Sequence, residues 1–448
     1  MFACPSCILV RMMSVFRKCL APGSVVALPL LSSPQLACVA AMPKRTMKEV
    51  SAHRAIAAKK GKARSLAKPV LKKPCAAAAA VMYTRHGHSI EKSRRDRFTW
   101  KRTLRDILLA RDNSIVDMLI EDGLLQNMEG FTCAKCGVGK LGPLRRRETP
   151  RLWVHRCGKR GCQNRVVPHS RHPIFEVSIA RKSIPLTEQA TILYALLSGC
   201  THASIRLMFQ KNHKVTERIQ KRLDDFLMQV VRRNEPMIQY GKGDAWKDVE
   251  ADEVDLRKLK VEAGSGPALV DWEQWGGIVE RGNPSTLTLT RLQPKRTQLR
   301  APGPGPMRTR DWKPTANALL KGRNVILHTD GARAYKMQIP GVLHDHVVHK
   351  KKCMCIDGQW VWVKPHFTKV VHHTLPSGEK LAVKAGTQVI DRFWRHLRAF
   401  LVGRSSKVGS VSLERRIRAA QWAFWHRDQD LWLALGTALR EDWAEPRV

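Results

Sequence analysis

The sequence predicts an α/β chain in which a mixed sheet flanked by helices follows a small cysteine-bearing module and a helical region. Three observations carry this. Two cysteine pairs, Cys133 with Cys136 and Cys157 with Cys162, stand in a short basic stretch. Apolar residues recur at helical spacing between Leu186 and Arg233, then change to the shorter rhythm of strands from Asp248 onward. Three aspartates, Asp252, Asp330 and Asp391, fall on elements of that second half.

Composition narrows the class of partner. The 448 residues leave room for several domains, and 43% apolar content is enough to build packed cores. Lys and Arg number 79 against 38 acidic residues, a formal charge of +41. A surplus that large exceeds what solubility asks for and points to a phosphate backbone. The 12 cysteines are spread unevenly, which argues for a reducing compartment rather than a secreted disulfide framework. Cys19 to Met42 is apolar but broken by Pro22, Pro29 and Pro34, so no membrane helix and no membrane partner is expected there.

Residues 1–98 are rich in Ala, Lys, Arg, Ser and Pro and read as a disordered basic tail. Its Lys/Arg clusters fit nuclear import or non-specific DNA attraction, and nuclear localisation is the expectation. The acid-free start, Met1 to Lys18, leaves an organelle presequence as the alternative. Residues 99–130 form a short helical segment, with Leu104, Ile107, Leu108, Ile115, Met118 and Leu119 at helical spacing from Thr103 to Ile120 and Gly123 closing it.

Residues 131–170 read as a zinc ribbon. Cys133 and Cys136 form one knuckle, a strand follows from Arg151 to Arg156, and Cys157 and Cys162 form the second. Four thiolates on Gly-bearing turns supply the donors of a tetrahedral structural Zn2+, although C-x4-C is looser than C-x2-C. So small a module depends on metal for most of its folding free energy. Arg145, Arg146, Arg147 and Arg160 surround it as candidate contacts to the DNA backbone.

Residues 171–240 read as a helical DNA-binding region. A helix from Leu186 to Ser198 ends at Gly199, Thr201 caps a second from His202 to Phe209, and a basic third runs from Val215 to Arg233. That order is helix-turn-helix-like, and Arg218, Lys221 and Arg222 would face a duplex.

In residues 245–405, Val249–Val254, Gly277–Glu280 and Leu287–Leu292 read as successive strands. A helix near Pro314–Leu320 follows, then a strand at Val325–Leu327, a further helix, and a strand around His346–His349. This is the element order of an RNase H-like sheet. In that topology Asp252 lies on the first strand, Asp330 at the tip of the fourth, and Asp391 on a later helix packed across the same end. Three converging carboxylates are hard oxygen donors for Mg2+ or Mn2+. Glu253, as the strand neighbour of Asp252, should point to the opposite face. Residues 406–448 complete the chain as C-terminal helices.

The blocks V-E-A-D-E-V, V-I-L-H-T-D-G-A-R-A-Y, H-D-H-V-V-H-K and G-T-Q-V-I-D-R-F-W-R-H-L-R resemble the signature blocks of Merlin-type DDE transposases and their ISXO-type insertion-sequence relatives. The ribbon, the segment H-P-I-F-E at His172–Glu176 and the stretch R-A-A-Q-W-A-F-W-H-R at Arg418–Arg427 extend the resemblance over residues 100 to 440. It implies an RNase H-like catalytic domain that nicks transposon ends and joins the freed 3' hydroxyl to target DNA with a divalent metal. Double-stranded DNA is then the partner, with homo-oligomerisation compatible. Asp252 and Asp330 match the first two metal-binding acids, and Asp391 falls where the family has Glu. Gln388 stands where the family has Asn, Arg398 where it has Lys, and His349 is placed like a family histidine near the site. Two other classes stay open: a domesticated or decayed derivative that binds DNA without catalysis, and a zinc-ribbon transcription or chromatin factor.

Overall fold

Two short helices, α1 (Leu104–Leu109) and α2 (Asp112–Glu121), stand where the spacing predicts one. Thr103 and Asp106 form a reciprocal capping box that starts α1. Ala110 then turns extended and stops it. The structure, a computed structural model, describes residues 99–110, 112–147, 152–177, 184–210, 212–261, 268–349, 351–402 and 407–444. The basic tail and Arg151 lie outside the described residues.

The cysteine module is a three-stranded antiparallel sheet of β1 (Leu141–Arg147), β2 (Leu152–Cys157) and β3 (Arg165–Val166). Cys133, Leu141 and Cys157 form its small buried cluster, with Met128, Cys136, Cys162 and Val166 packed against it. Three helices follow, α3 (Leu186–Leu197), α4 (His202–Phe209) and α5 (His213–Asn234), with Thr201 and Asn212 capping the second and third. Ile219, Leu223, Phe226 and Val230 of α5 are buried, as their spacing predicts.

The main sheet starts with β4 (Lys247–Val261), β5 (Leu269–Glu280) and β6 (Asn283–Arg291), paired antiparallel. A short strand β7 (Lys295–Gln298) adds to the far half of β5. After helix α6 (Thr309–Leu319), strands β8 (Val325–Thr329) and β9 (Val342–His346) run parallel to β4. The order across the sheet is β6–β5–β4–β8–β9. Between β8 and β9 the expected helix is only a 3-10 turn, Arg333–Lys336. The fifth strand also begins earlier than the apolar pair Val347–Val348 implies. Gly341, at φ +81°, turns the chain into it, and Val347 closes it by donating to the Thr329 carbonyl.

Sequence periodicity leaves residues 350–385 without elements. They form two hairpins, β10 (Lys352–Ile356) with β11 (Gln359–Val363), and β12 (Lys369–Thr374) with β13 (Lys380–Ala385). Helices α7 (Gln388–Leu401), α8 (Val411–Trp425) and α9 (Leu431–Ala444) complete the chain. No helix among the described residues is long and apolar enough to cross a membrane.

Period-two alternation divides the residues of β4 between two cores. Val249 and Ala251 pack with Trp312 and Tyr335 on the α6 side. Val254 joins Trp275, Phe393 and Trp394 on the other, in a core that runs on through α8 to α2, α3, α5 and α9. The expected helical, catalytic and C-terminal segments therefore share one apolar interior. The chain ends are tied as well: buried Asp122 accepts from Arg102 at 2.8 Å and from the Trp432 indole at 3.0 Å.

Gly277 lets α7 lie down on the sheet. It pairs with Asp252 across β4 and β5, and a Cβ there would sit 2.8 Å from the Trp394 ring. Gly276 would meet only the end methyl of Met307, which can move aside. Gly277→Ala should therefore cost about 1–3 kcal/mol, as overpacking against a buried ring does, and Gly276→Ala distinctly less. Thermal denaturation of the two variants measures the difference.

Candidate functional site

The acids meet because strand register brings them together. Glu250 of β4 pairs with His328 of β8 in a parallel ladder, so two residues further on Asp252 comes level with Asp330, on the same face. Helix α7 crosses that face with Ile390 and Trp394 against Gly277 and brings Asp391 over it. The Asp252 carboxyl titrates well above its ordinary range, first because it is buried and then because Glu253, Asp391 and Asp330 repel its charge. The three sequence-predicted acids are thus in electrostatic contact. They are not drawn into a tight cage: among the described residues only the four cysteines form a group whose potential ligand atoms all lie within 4.8 Å of one another.

Each acid has its own local support. Asp330 accepts from the Ala332 amide at 2.9 Å, a bond within the turn after β8. Asp391 accepts from the Thr387 hydroxyl one helical turn back, at 3.1 Å. Glu253 lies on the other face, as alternation predicts. Its carboxylate accepts from the Met307 amide at 2.8 Å and the Tyr335 hydroxyl at 2.5 Å. Gln388 and Arg398 are exposed on α7, and the Arg398 charge is felt by Asp255.

His349 lies beyond the end of β9, tilted against Phe367 at 5.3 Å, with Nε2 buried and unbonded. Another histidine of the same block, His346, ends the strand level with Thr329 and feels the Asp330 charge. The block H-D-H-V-V-H-K holds both, and only the strand boundary separates them.

Two features escape sequence reasoning. The first is Glu250, on the same strand face as Asp252 and wholly buried. Its carboxylate accepts from the α7 amides of Val389 at 2.6 Å and Ile390 at 3.0 Å, and from Arg281 at 2.7 Å. It thereby caps the helix that bears Asp391 from a strand far away in sequence, while the residue at the usual capping position, Thr387, makes no capping bond. Arg281 continues to the carbonyls of Lys384 and Gly386, just before α7.

The second is a buried polar chain. The carboxylates of Asp248 and Asp345 accept from His328 at 3.0 Å and 2.8 Å, and Asp345 also meets His373 at 3.0 Å. Burial alone would push the His328 imidazole down, but the two carboxylates raise it. Asp345, against its own burial, is held at about 2 by the two histidines. The chain joins β4, β8 and β9 to the β12–β13 hairpin. A signal was present, a histidine and an aspartate in adjacent blocks, each one residue before the end of its strand, but only the strand pairing reveals that they touch.

The four cysteines converge as their spacing predicts. Cys133 lies 3.8 Å from Cys162, and Cys136 lies 3.8 Å from Cys157, sulfur to sulfur. A tetrahedron with Zn–S bonds of about 2.3 Å has edges of about 3.8 Å, so the set fits zinc. The Cys136 amide draws the Cys133 thiol down to about 6. Cys157 is pulled down by the Lys159 amide, yet burial and the neighbouring sulfurs push it up to about 11. Four sulfurs so close repel one another as thiolates, a conflict that a bound cation removes.

Arg145, Arg146 and Arg147 are exposed on β1, and Arg160 is exposed between Cys157 and Cys162. Lys221 is exposed on α5, and Arg218 lies 3.3 Å from Glu176. Arg222 is committed to the fold: it donates to the carbonyls of Pro173 at 3.0 Å and His172 at 2.9 Å, and pairs with Glu176. The H-P-I-F-E segment is thereby pinned to α5. Set against known protein families, curated proteins and solved structures, the chain matches none.

Two outcomes are expected. The purified protein should carry zinc at one equivalent per chain by atomic absorption, and Cys136→Ser should lose it with a lower melting temperature that chelator no longer affects. Asp345→Asn should destabilise the fold at neutral pH by roughly 3 kcal/mol, because it leaves buried His328 and His373 without their shared carboxylate. Asp345 is depressed from 3.8 to about 2 in the folded chain. Its contribution is therefore complete above the unfolded value and lost as pH falls through the folded one. The gap between variant and wild type in thermal melts should close from about pH 4 towards pH 2.

Proposed function

We propose that this chain is a transposase-like DNA-binding protein whose carboxylate site carries out metal-dependent cleavage of DNA strands and transfer of the freed ends. The observation that carries the reading is the gathering of Asp252, Asp330 and Asp391 on one face of the sheet, where β8 ends beside parallel β4 beneath α7. We read the order β6–β5–β4–β8–β9 as an RNase H-like sheet.

The donor set suits Mg2+ or Mn2+, because the charges of Asp330 and Asp391 beside the buried Asp252 carboxyl are an excess of negative charge on hard oxygens that a divalent cation relieves. Metal bound there supplies activation of the attacking oxygen and stabilisation of the leaving oxygen in an in-line phosphodiester displacement. Asp252 and Asp330, on rigid neighbouring strands, fix the site, and Asp391 closes it from the helix. Arg398, about two turns beyond Asp391, offers positive charge to the phosphate backbone on that helix. The exposed arginines of the cysteine module and Lys221 extend the same attraction, and the charge of +41 draws DNA from a distance.

A second reading, DNA binding without cleavage, draws on Asp391. It is one methylene shorter than the Glu expected of an active transposase, and its carboxylate is turned back onto Thr387. Cleavage of supercoiled plasmid with Mg2+ or Mn2+, beside a mobility-shift assay in chelator, separates the two. Asp330→Ala should reduce cleavage by a factor of about 100 or more while DNA affinity holds or rises, since a ligand and a negative charge are removed near phosphate. Wild-type protein that binds and never cleaves establishes the second reading, and loss of DNA affinity in folded Asp330→Ala contradicts the role given to that residue.

A further inference from the structure

We propose that the β10–β11 hairpin is a stacking surface for unpaired bases of DNA, with Trp360 and Trp362 as its platform. The hairpin forms a two-stranded sheet of its own and pairs with no other strand among the described residues. Trp360 is 75% exposed and Trp362 67%. Tryptophan side chains are seldom left that open, because each carries a large apolar area to water.

Geometry and charge select the occupant. Trp360 and Trp362 are two apart on β11, so both indoles stand on one face, opposite Cys355 and Cys353 of β10. That spacing is about 6.6–6.8 Å, twice the thickness of a stacked base, and leaves room for one base between the rings. Lys351 and Lys364 flank the hairpin in the chain and Lys369 follows it, against a single acidic residue, Asp357, at the turn. Aromatic rings flanked by lysines match bases joined by phosphates, whereas a purely apolar protein partner would gain nothing from the lysines. In a closed duplex the base faces are covered, so the platform selects DNA with unpaired nucleotides.

The hairpin's place in the chain adds to this. It leaves the sheet after β9, whose end feels the Asp330 charge, and its return passes Phe367, which meets His349, before the β12–β13 hairpin leads on to α7.

The inference rests on the DNA-binding half of the function proposed above and not on cleavage, so its test is made in chelator. Full-length protein would be titrated by fluorescence anisotropy into a labelled blunt duplex and into the same duplex with a single-stranded 3' overhang. Wild type should prefer the overhang. Trp360→Ala with Trp362→Ala should weaken overhang binding about tenfold or more while leaving the blunt duplex alone, and the corresponding double Phe variant should keep most of the preference. Circular dichroism establishes that the variants fold. Equal binding of both DNAs by wild type and by the Ala variant overturns the proposal and spares the DNA-binding reading, whereas a wild type that binds neither overturns both. Loss of self-association in the Ala variant by light scattering, with overhang binding unchanged, assigns the face to a second copy of the chain and overturns the proposal as well.

Discussion

The buried carboxylate of Glu250 is the contact on which the candidate site depends. A charge taken wholly out of water is stable only when its lone pairs are satisfied, and here two helix amides and one guanidinium satisfy them. The same bonds neutralise the exposed N–H groups at the start of α7. One side chain thus fixes the helix by its end, two residues along the strand from Asp252. Trp394 and Ile390, seated over Gly277, fix it by its flank. With an end and a side both fixed, the position of Asp391 above the strands follows without any contact between the acids themselves.

How much of this the sequence discloses depends on the range of the interaction. The apolar runs Val249–Val254 and Val325–Leu327 are local, and Asp252 and Asp330 could be placed on strands from them, as could the cysteines from their spacing. The opposed orientation of Glu253 follows from the same period of two. What stayed hidden is set by pairing between distant segments. Nothing near Glu250 marks it as the cap of a helix that begins at Gln388, and nothing near His328 names Asp248 and Asp345 as its neighbours. That His346 feels the Asp330 charge is of the same kind, because it turns on where β9 ends. The hairpins of residues 350–385 carry little alternation of burial, since most of their side chains face water on both sides, and a pattern of burial cannot announce an element that is not buried.

The chain concentrates negative charge in one place and spreads positive charge almost everywhere else. Three aspartates and Glu253 crowd the part of β4 beside the end of β8 in a protein of net charge +41. The cysteine module has the opposite economy: the buried cluster around its sulfurs is Cys133, Leu141 and Cys157, so its order hangs on four sulfurs meeting around one ion.

The tie between Asp122 and Trp432 has a bearing on how this protein can be taken apart. It joins the earliest described helices to the last, and Gly436 approaches the Asp122 carbonyl so closely that a side chain there would collide with it. Between these two points the same apolar interior passes from the helices through the sheet and back. The sheet with its acids is therefore not a removable module. A fragment cut to residues 245–405 would expose the undersides of α7 and β6 where α8 and α5 belong, and a deletion at either end would be felt at the carboxylates in the middle.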